Sequence, residues 1–250
     1  MLAQPSRTRY DLVFPIFGIP VRVHPLFWLI AAVLGWHEGR MGVTLVAAAC
    51  IFVSILVHEC GHAFAARRFG AHNIRIILYG MGGLAISQGR RTRRQRIIEL
   101  LAGPGAGFAL LVLAVIVGVL LGPEGRRGYT GVALYFLIRI NLIWGLVNLL
   151  PVFPLDGGQI AREIIVARRP YDGLLLTFRF SMIAAVTIAV IFFILMLLGV
   201  GSWFFAILIF GLLAYMNHQL SQPRNLSGFA EGDYGSQSSP WEQDSDWWKK

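Results

Sequence analysis

The run His58-Glu59-Cys60-Gly61-His62 has the residue types and spacing of a metal-dependent hydrolase. Histidines four residues apart lie one turn apart on the same face of an α-helix, so both imidazoles can reach one divalent ion. Zinc lowers the pKa of its bound water to about 7, and a neighbouring carboxylate can take the released proton and hand it to the leaving amine of a peptide. The motif therefore points to zinc-dependent peptide hydrolysis, with His58 and His62 as ligands, Glu59 as general base and one Zn2+ per chain. A purely structural zinc would not need Glu59.

A catalytic zinc takes three protein ligands and leaves a fourth position for water. Asp156 is the candidate third ligand, being the only acid between Glu124 and Glu163 and following an apolar segment in Asn148-Leu-Leu-Pro-Val-Phe-Pro-Leu-Asp156-Gly-Gly158. Pro151, Pro154, Gly157 and Gly158 break the helix around it, and irregular backbone at membrane depth is tolerated where it lines a wet cavity or is buried in protein. The plainer reading makes Asp156 a cap for a helix carrying Arg162. Asn148 is placed to donate hydrogen bonds to a developing oxyanion or a substrate backbone, with interhelical hydrogen bonding as its plainer role.

These residues must be positioned by membrane helices. The chain has 250 residues, 56% hydrophobic and 14% charged, and contains several apolar stretches near the roughly 20 residues that cross about 30 Å of hydrocarbon. The expected fold is an all-α polytopic membrane protein with about six spans, near 24–36, 42–69, 97–121, 131–149, 174–198 and 203–216, and the metal motif lies in the second. Residues 71–88 are apolar and glycine-rich around Gly80-Met81-Gly82-Gly83, which suits a small membrane-associated β-hairpin. The division expected is an N-terminal cytoplasmic or interfacial segment (1–23), a membrane-embedded domain (24–217) and a disordered polar tail (218–250). Pro5, Pro15 and Pro20 interrupt the apolar run that a cleavable signal peptide requires.

The net charge of +9 comes from arginine clusters beside the apolar segments, not from a stripe with interleaved aromatics, so nucleic acid is not expected as a partner. Fourteen arginines fall in the N-terminal segment, at the end of the second span (Arg67 and Arg68) and in the second and fourth loops, against Arg40, Arg126 and Arg127 in the loops between. The positive-inside rule then puts both termini in the cytoplasm of a multi-pass protein. Cys50 and Cys60, both within one apolar stretch, support neither a disulfide framework nor a thiolate metal site.

The pairing of HECGH with NLLPVFPLDGG resembles the site-2 protease family of intramembrane zinc metalloproteases, in a compact form without PDZ or CBS domain. The likeness runs over roughly residues 16–160 and includes GIPVRVHP and Ala102-Gly103-Pro104. It implies zinc on His58, His62 and Asp156, Glu59 as base, Asn148 assisting, and regulated intramembrane proteolysis of transmembrane substrates in a bilayer, here of the prokaryotic cell-membrane kind. It departs at Gly107, where family members often carry asparagine, and no role is assigned there.

Substrate capture is expected on the hairpin through Ile74, Ile76, Leu78, Gly80, Gly82, Gly83 and Leu84, because a strand edge can hold an extended segment by backbone hydrogen bonds. His24 reads as a helix-start residue, His72 as a loop residue, Cys60 as packing and Arg179 as an interfacial snorkel. Arg139, within a span, has no assigned role. Three other functions compete: a non-catalytic membrane binding protein of this fold, a transporter, and a membrane H-E-x-x-H peptidase using Glu99 or Glu163 as third ligand on non-transmembrane segments. The spans carry too few polar residues for a transporter.

Overall fold

The computed structural model describes residues 6–80, 82–201 and 203–223, and within them the chain divides into two compact units, one ending at Val147 and the other beginning at Asn148. It is mostly helical with one small β-sheet.

The first unit begins with β1 (Leu12–Ile16) and β2 (Ile19–Val23), joined through Phe17 and Gly18 with φ of 48° and 80°. Two consecutive positive-φ residues make the tight turn whose twist suits an antiparallel hairpin. This pair lies where the sequence suggests only an interfacial segment. Pro15 and Pro20 conceal it: prolines argue against strands except at edges, and these two face each other across a pair whose outer member, β1, is an edge.

Next come α1 (Pro25–Leu34), α2 (Met41–Arg68), β3 (His72–Tyr79) and β4 (Gly82–Gln88). The four strands are ordered β1-β2-β3-β4, with β2 parallel to β3 and the other pairs antiparallel. The expected hairpin is therefore half of a larger sheet. Val21, Val23, Ile76 and Leu78 pack with Phe27 of α1 and Ile51 and Ile55 of α2 into the core that holds the sheet against the helices.

The helix α3 (Arg93–Gly125) starts in a capping box: Gln95 N–H donates to Thr92 Oγ1 (3.3 Å) and Thr92 N–H to Gln95 Oε1 (2.9 Å). That cap draws three arginines into the helix, so it begins earlier than the apolar run that marks it in sequence. It breaks at Gly122 (φ 64°, ψ −173°), and α4 (Gly128–Asn148) follows.

The second unit holds residues 149–155, α5 (Asp156–Arg168), α6 (Gly173–Leu197) and α7 (Phe204–Leu220). Phe178, Thr177, Ser181 and Asn217 are wholly buried at its centre. The helix α7 extends past the expected start of the polar tail, and residues 224–250 lie outside the described residues.

Among the described residues four helices, α2, α3, α4 and α6, are long and apolar enough to cross a membrane, while α1 and α7 are shorter apolar helices of 10 and 17 residues.

Candidate metal centre

His58, Glu59 and His62 are all buried in the second half of α2. The two Nε2 atoms converge to 3.1 Å. Two Zn–N bonds of about 2.0–2.1 Å at a tetrahedral angle would hold their nitrogens roughly 3.4 Å apart, so the pair fits a zinc ion with little adjustment. His62 Nδ1 lies 2.8 Å from the Glu99 carbonyl oxygen. A carbonyl only accepts, so Nδ1 carries the proton and Nε2 presents its lone pair.

Glycines make room for this arrangement. A Cβ at Gly103 of α3 would collide with the His62 ring, and one at Gly61 with the Ala102 carbonyl, so α2 and α3 approach closely because both positions lack a side chain. Gly83 of β4 lies against the Glu59 carboxylate, where a Cβ would clash. Trp144 of α4 meets a Cβ built on Gly82 at 3.0 Å, and its ring stands edge-on to His58 at 6.5 Å between centroids. Glu59 is thus covered by a strand, and an indole stands beside His58. Burial pushes the Tyr79 phenol above its usual range and the Glu59 charge adds to this, so a protonated hydroxyl ends β3 near the base.

The Glu99 carboxylate pairs with Arg91 Nε at 2.7 Å and Arg96 Nη1 at 3.6 Å. Burial lowers the pKa of Arg91 while Glu99 raises it. The Glu99 carboxylate is therefore committed to arginines and only its main chain meets a histidine, which argues against Glu99 as third ligand.

In the second unit, Asn148 ends α4 and Asp156 is the first residue of α5, both buried. The N-cap is Leu155, so Asp156 does not occupy the capping position. The chain between is irregular and fastened from below: Phe153 N–H donates to Ser181 Oγ (3.1 Å), Asn217 Nδ2 to the Phe153 carbonyl (2.6 Å), and Gln159 Nε2 to the Pro154 carbonyl (3.0 Å). A Cβ at Gly157 would strike the Leu149 carbonyl, and one at Gly158 the backbone of Val152 and Phe153. The two glycines let the loop fold tightly onto the start of α5.

Other expectations resolve simply. His24 caps α1, its Nδ1 accepting from Leu26 N–H at 3.1 Å, and His72 begins β3 in an exposed position. Ile76 and Leu78 lie where β3 is paired on both sides, so their backbone is committed to the sheet, while Ile74 falls at the irregularity between His72 and Arg75, outside both registers; the edge strand beside Glu59 is β4, with Gly82, Gly83 and Leu84. Gly80 sits against Leu26. Ser54, Trp144, Ser181 and Asn217 belong to no motif in the sequence. Each is a polar or indole side chain within an apolar helix, and that placement was the available signal.

The arrangement is a buried histidine pair of the H-E-x-x-H type on an apolar helix, with the donor atoms to hold a metal ion. The model of peptidase family M50 matches residues 46–131 and 126–198, and the chain belongs to that family. It is 31% identical over 161 residues to a zinc metalloprotease of Methanocaldococcus jannaschii, covering 64% of this chain and 46% of that protein. It is 29% identical over 160 residues to the stage IV sporulation protein FB of Bacillus subtilis, covering 62% and 50%. The chain thus spans about half the length of these curated relatives. Among solved structures, a site-2 protease from Methanocaldococcus jannaschii superposes with a TM-score of 0.57 at 27% identity, covering 85% of this chain and 96% of that one.

Proposed function

We propose that this protein is an intramembrane zinc metalloendopeptidase that cleaves within or near transmembrane segments of membrane proteins, with His58, His62 and Asp156 holding the metal. The observation that carries the reading is the buried Glu59 between two convergent imidazoles on a membrane-length apolar helix. Ionisable groups at such depth are costly and are kept for function. The relatives' names, zinc metalloprotease and site-2 protease, agree with it.

Zinc, when bound, supplies the Lewis acidity that makes water a nucleophile at neutral pH. Glu59 accepts the proton from that water and passes it to the leaving nitrogen. Asn148 donates to the carbonyl oxygen as charge develops on it. The β4 edge at Gly82, Gly83 and Leu84 holds the unwound substrate extended by main-chain hydrogen bonds, with the scissile bond delivered to Glu59 beneath Gly83.

Six spans complete the arrangement, with α7 crossing at about 26 Å of helix and α1, about 15 Å, entering partway. Arginine placement puts both termini in the cytoplasm, and His62, six residues or about 9 Å before Arg68, below that surface.

The test is incubation of purified protein with single-span substrates, comparing wild type, Glu59→Gln and a chelator-treated sample. Cleavage is expected in the first alone; persistence in both controls overturns the assignment.

A further inference from the structure

At the end of the first unit where α2 and α4 both begin, a cavity of about 390 Å³ opens between them, lined by Arg40, Arg126, Tyr135, Val43 and Val132 among others. Among the described residues no carboxylate pairs with Arg40 or Arg126; Arg126 Nε donates only to the Gly122 carbonyl, while Arg127 is taken by Glu124 at 2.7 Å. The loops at this end hold three arginines in all, against fourteen in the N-terminal segment, the loops and the end of α2 on the other side, and two of the three line one cavity.

Arg139 supplies a third cation. It is exposed on α4, eleven residues or about 17 Å beyond Gly128, a depth at which an isolated charge is expensive. Its guanidinium turns back one helical turn, donating to the Tyr135 hydroxyl and lying 5.8 Å from the ring centroid. Tyr135 lines the cavity, so the charge is drawn towards it. Three, four and seven residues after Arg139, Leu142, Ile143 and Leu146 are exposed on the same face of α4. The surface therefore runs from unpaired guanidiniums, across a phenol, to an apolar track along a membrane helix.

We propose that this cavity binds the phosphate of an anionic membrane lipid, whose acyl chains follow the α4 track. Guanidinium forks match phosphate oxygens, and the amides opening α4 add a favourable dipole. A soluble phosphate would use the arginines but leave the apolar face uncovered. The inference rests on the membrane placement of α4 and not on catalysis.

The full chain, reconstituted in phosphatidylcholine nanodiscs containing some phosphatidylglycerol, is compared with Arg40→Gln/Arg126→Gln by native mass spectrometry of retained lipid. Wild type should hold one phosphatidylglycerol per chain, and the double variant should bind it roughly tenfold or more weakly. Arg40→Lys/Arg126→Lys, keeping charge but losing the fork, should fall between, and Arg127→Gln should match wild type. Zinc content should be equal in all, which checks folding and separates this result from any failure of the peptidase reading. Equal retention by wild type and the glutamine pair overturns the site. Displacement of the lipid by inorganic phosphate assigns the cavity to a soluble anion and overturns the lipid as ligand.

Discussion

On α2, the three candidate side chains His58, Glu59 and His62 are placed chiefly by helical periodicity, and α2 and α3 fit together closely because Gly61 and Gly103 lack side chains where they meet Ala102 and His62. Between Asn148 and Asp156 the backbone is irregular, and its shape is held by hydrogen bonds with Ser181, Asn217 and Gln159, made to the main chain of Phe153 and Pro154. The first arrangement is rigid because there is no space to move; the second is rigid because its polar main chain has partners. Steric fixation should fail abruptly when volume is added, and hydrogen-bonded fixation gradually as partners are removed.

The largest effect is expected at Gly103. A Cβ there collides with the His62 ring, at a place where α2 and α3 already approach closely through Gly61 and Ala102. Gly103→Ala should weaken zinc binding by about 100-fold, the upper range for changes that disturb a ligand's support, measured by competition with a chromophoric chelator. Gly105→Ala, where a Cβ meets nothing within 4 Å, should leave zinc affinity unchanged. Equal affinity in both variants would break the steric half of the comparison.

Asn217→Leu tests the other half. It removes the donor to the Phe153 carbonyl while leaving Ser181 on the Phe153 amide. Loss of a hydrogen bond to a part-buried carbonyl costs about 1 kcal/mol, so unfolding should come at lower denaturant, with zinc affinity falling roughly tenfold because the support is outside the ligand shell. A loss as great as that of Gly103→Ala would show the loop to be as brittle as the helix pair.

Glu99 joins the two modes, since its main chain meets His62 and its side chain meets Arg91. Glu99→Gln leaves the carbonyl in place, so zinc affinity should change less than about threefold, while the buried arginine loses its counter-charge and stability drops by about 3 kcal/mol. Zinc content collapsing with this substitution would restore a glutamate as third ligand.

The contrast also explains what could be read in advance. His58, Glu59 and His62 are legible because a helix converts spacing into direction, and the membrane-length helices are legible because continuous apolar runs survive any tertiary context. Asp156 stands out as an isolated acid between helix breakers. The β1–β2 pair is hidden by Pro15 and Pro20, whose ladder cost disappears only when β1 is known to be an edge. Ser181 and Asn217 are hidden because their partner, Phe153, is 28 and 64 residues away in sequence. No local pattern encodes such a pairing.

The smallest effect lies one turn before His58. Asn141 Nδ2 of α4 donates to Ser54 Oγ of α2 at 2.9 Å, both side chains buried, and the Asn141 amide oxygen lies 3.3 Å from where a Cβ on Gly107 of α3 would stand. Three helices thus meet at a polar contact beside the metal helix, and Gly107 leaves the space that the amide fills. Asn141 also donates to its own helix at the Leu137 carbonyl, 2.8 Å away, so it keeps a partner when Ser54 is lost. A Ser54→Ala and Asn141→Leu double-mutant cycle on unfolding in detergent should therefore return a coupling of only about 0.6 kcal/mol, typical of interhelical hydrogen bonds in membranes. A coupling several times larger would mean that directional bonding, as in the second unit, also fixes the metal helix, and that the division between steric and hydrogen-bonded support fails where α2 meets α4.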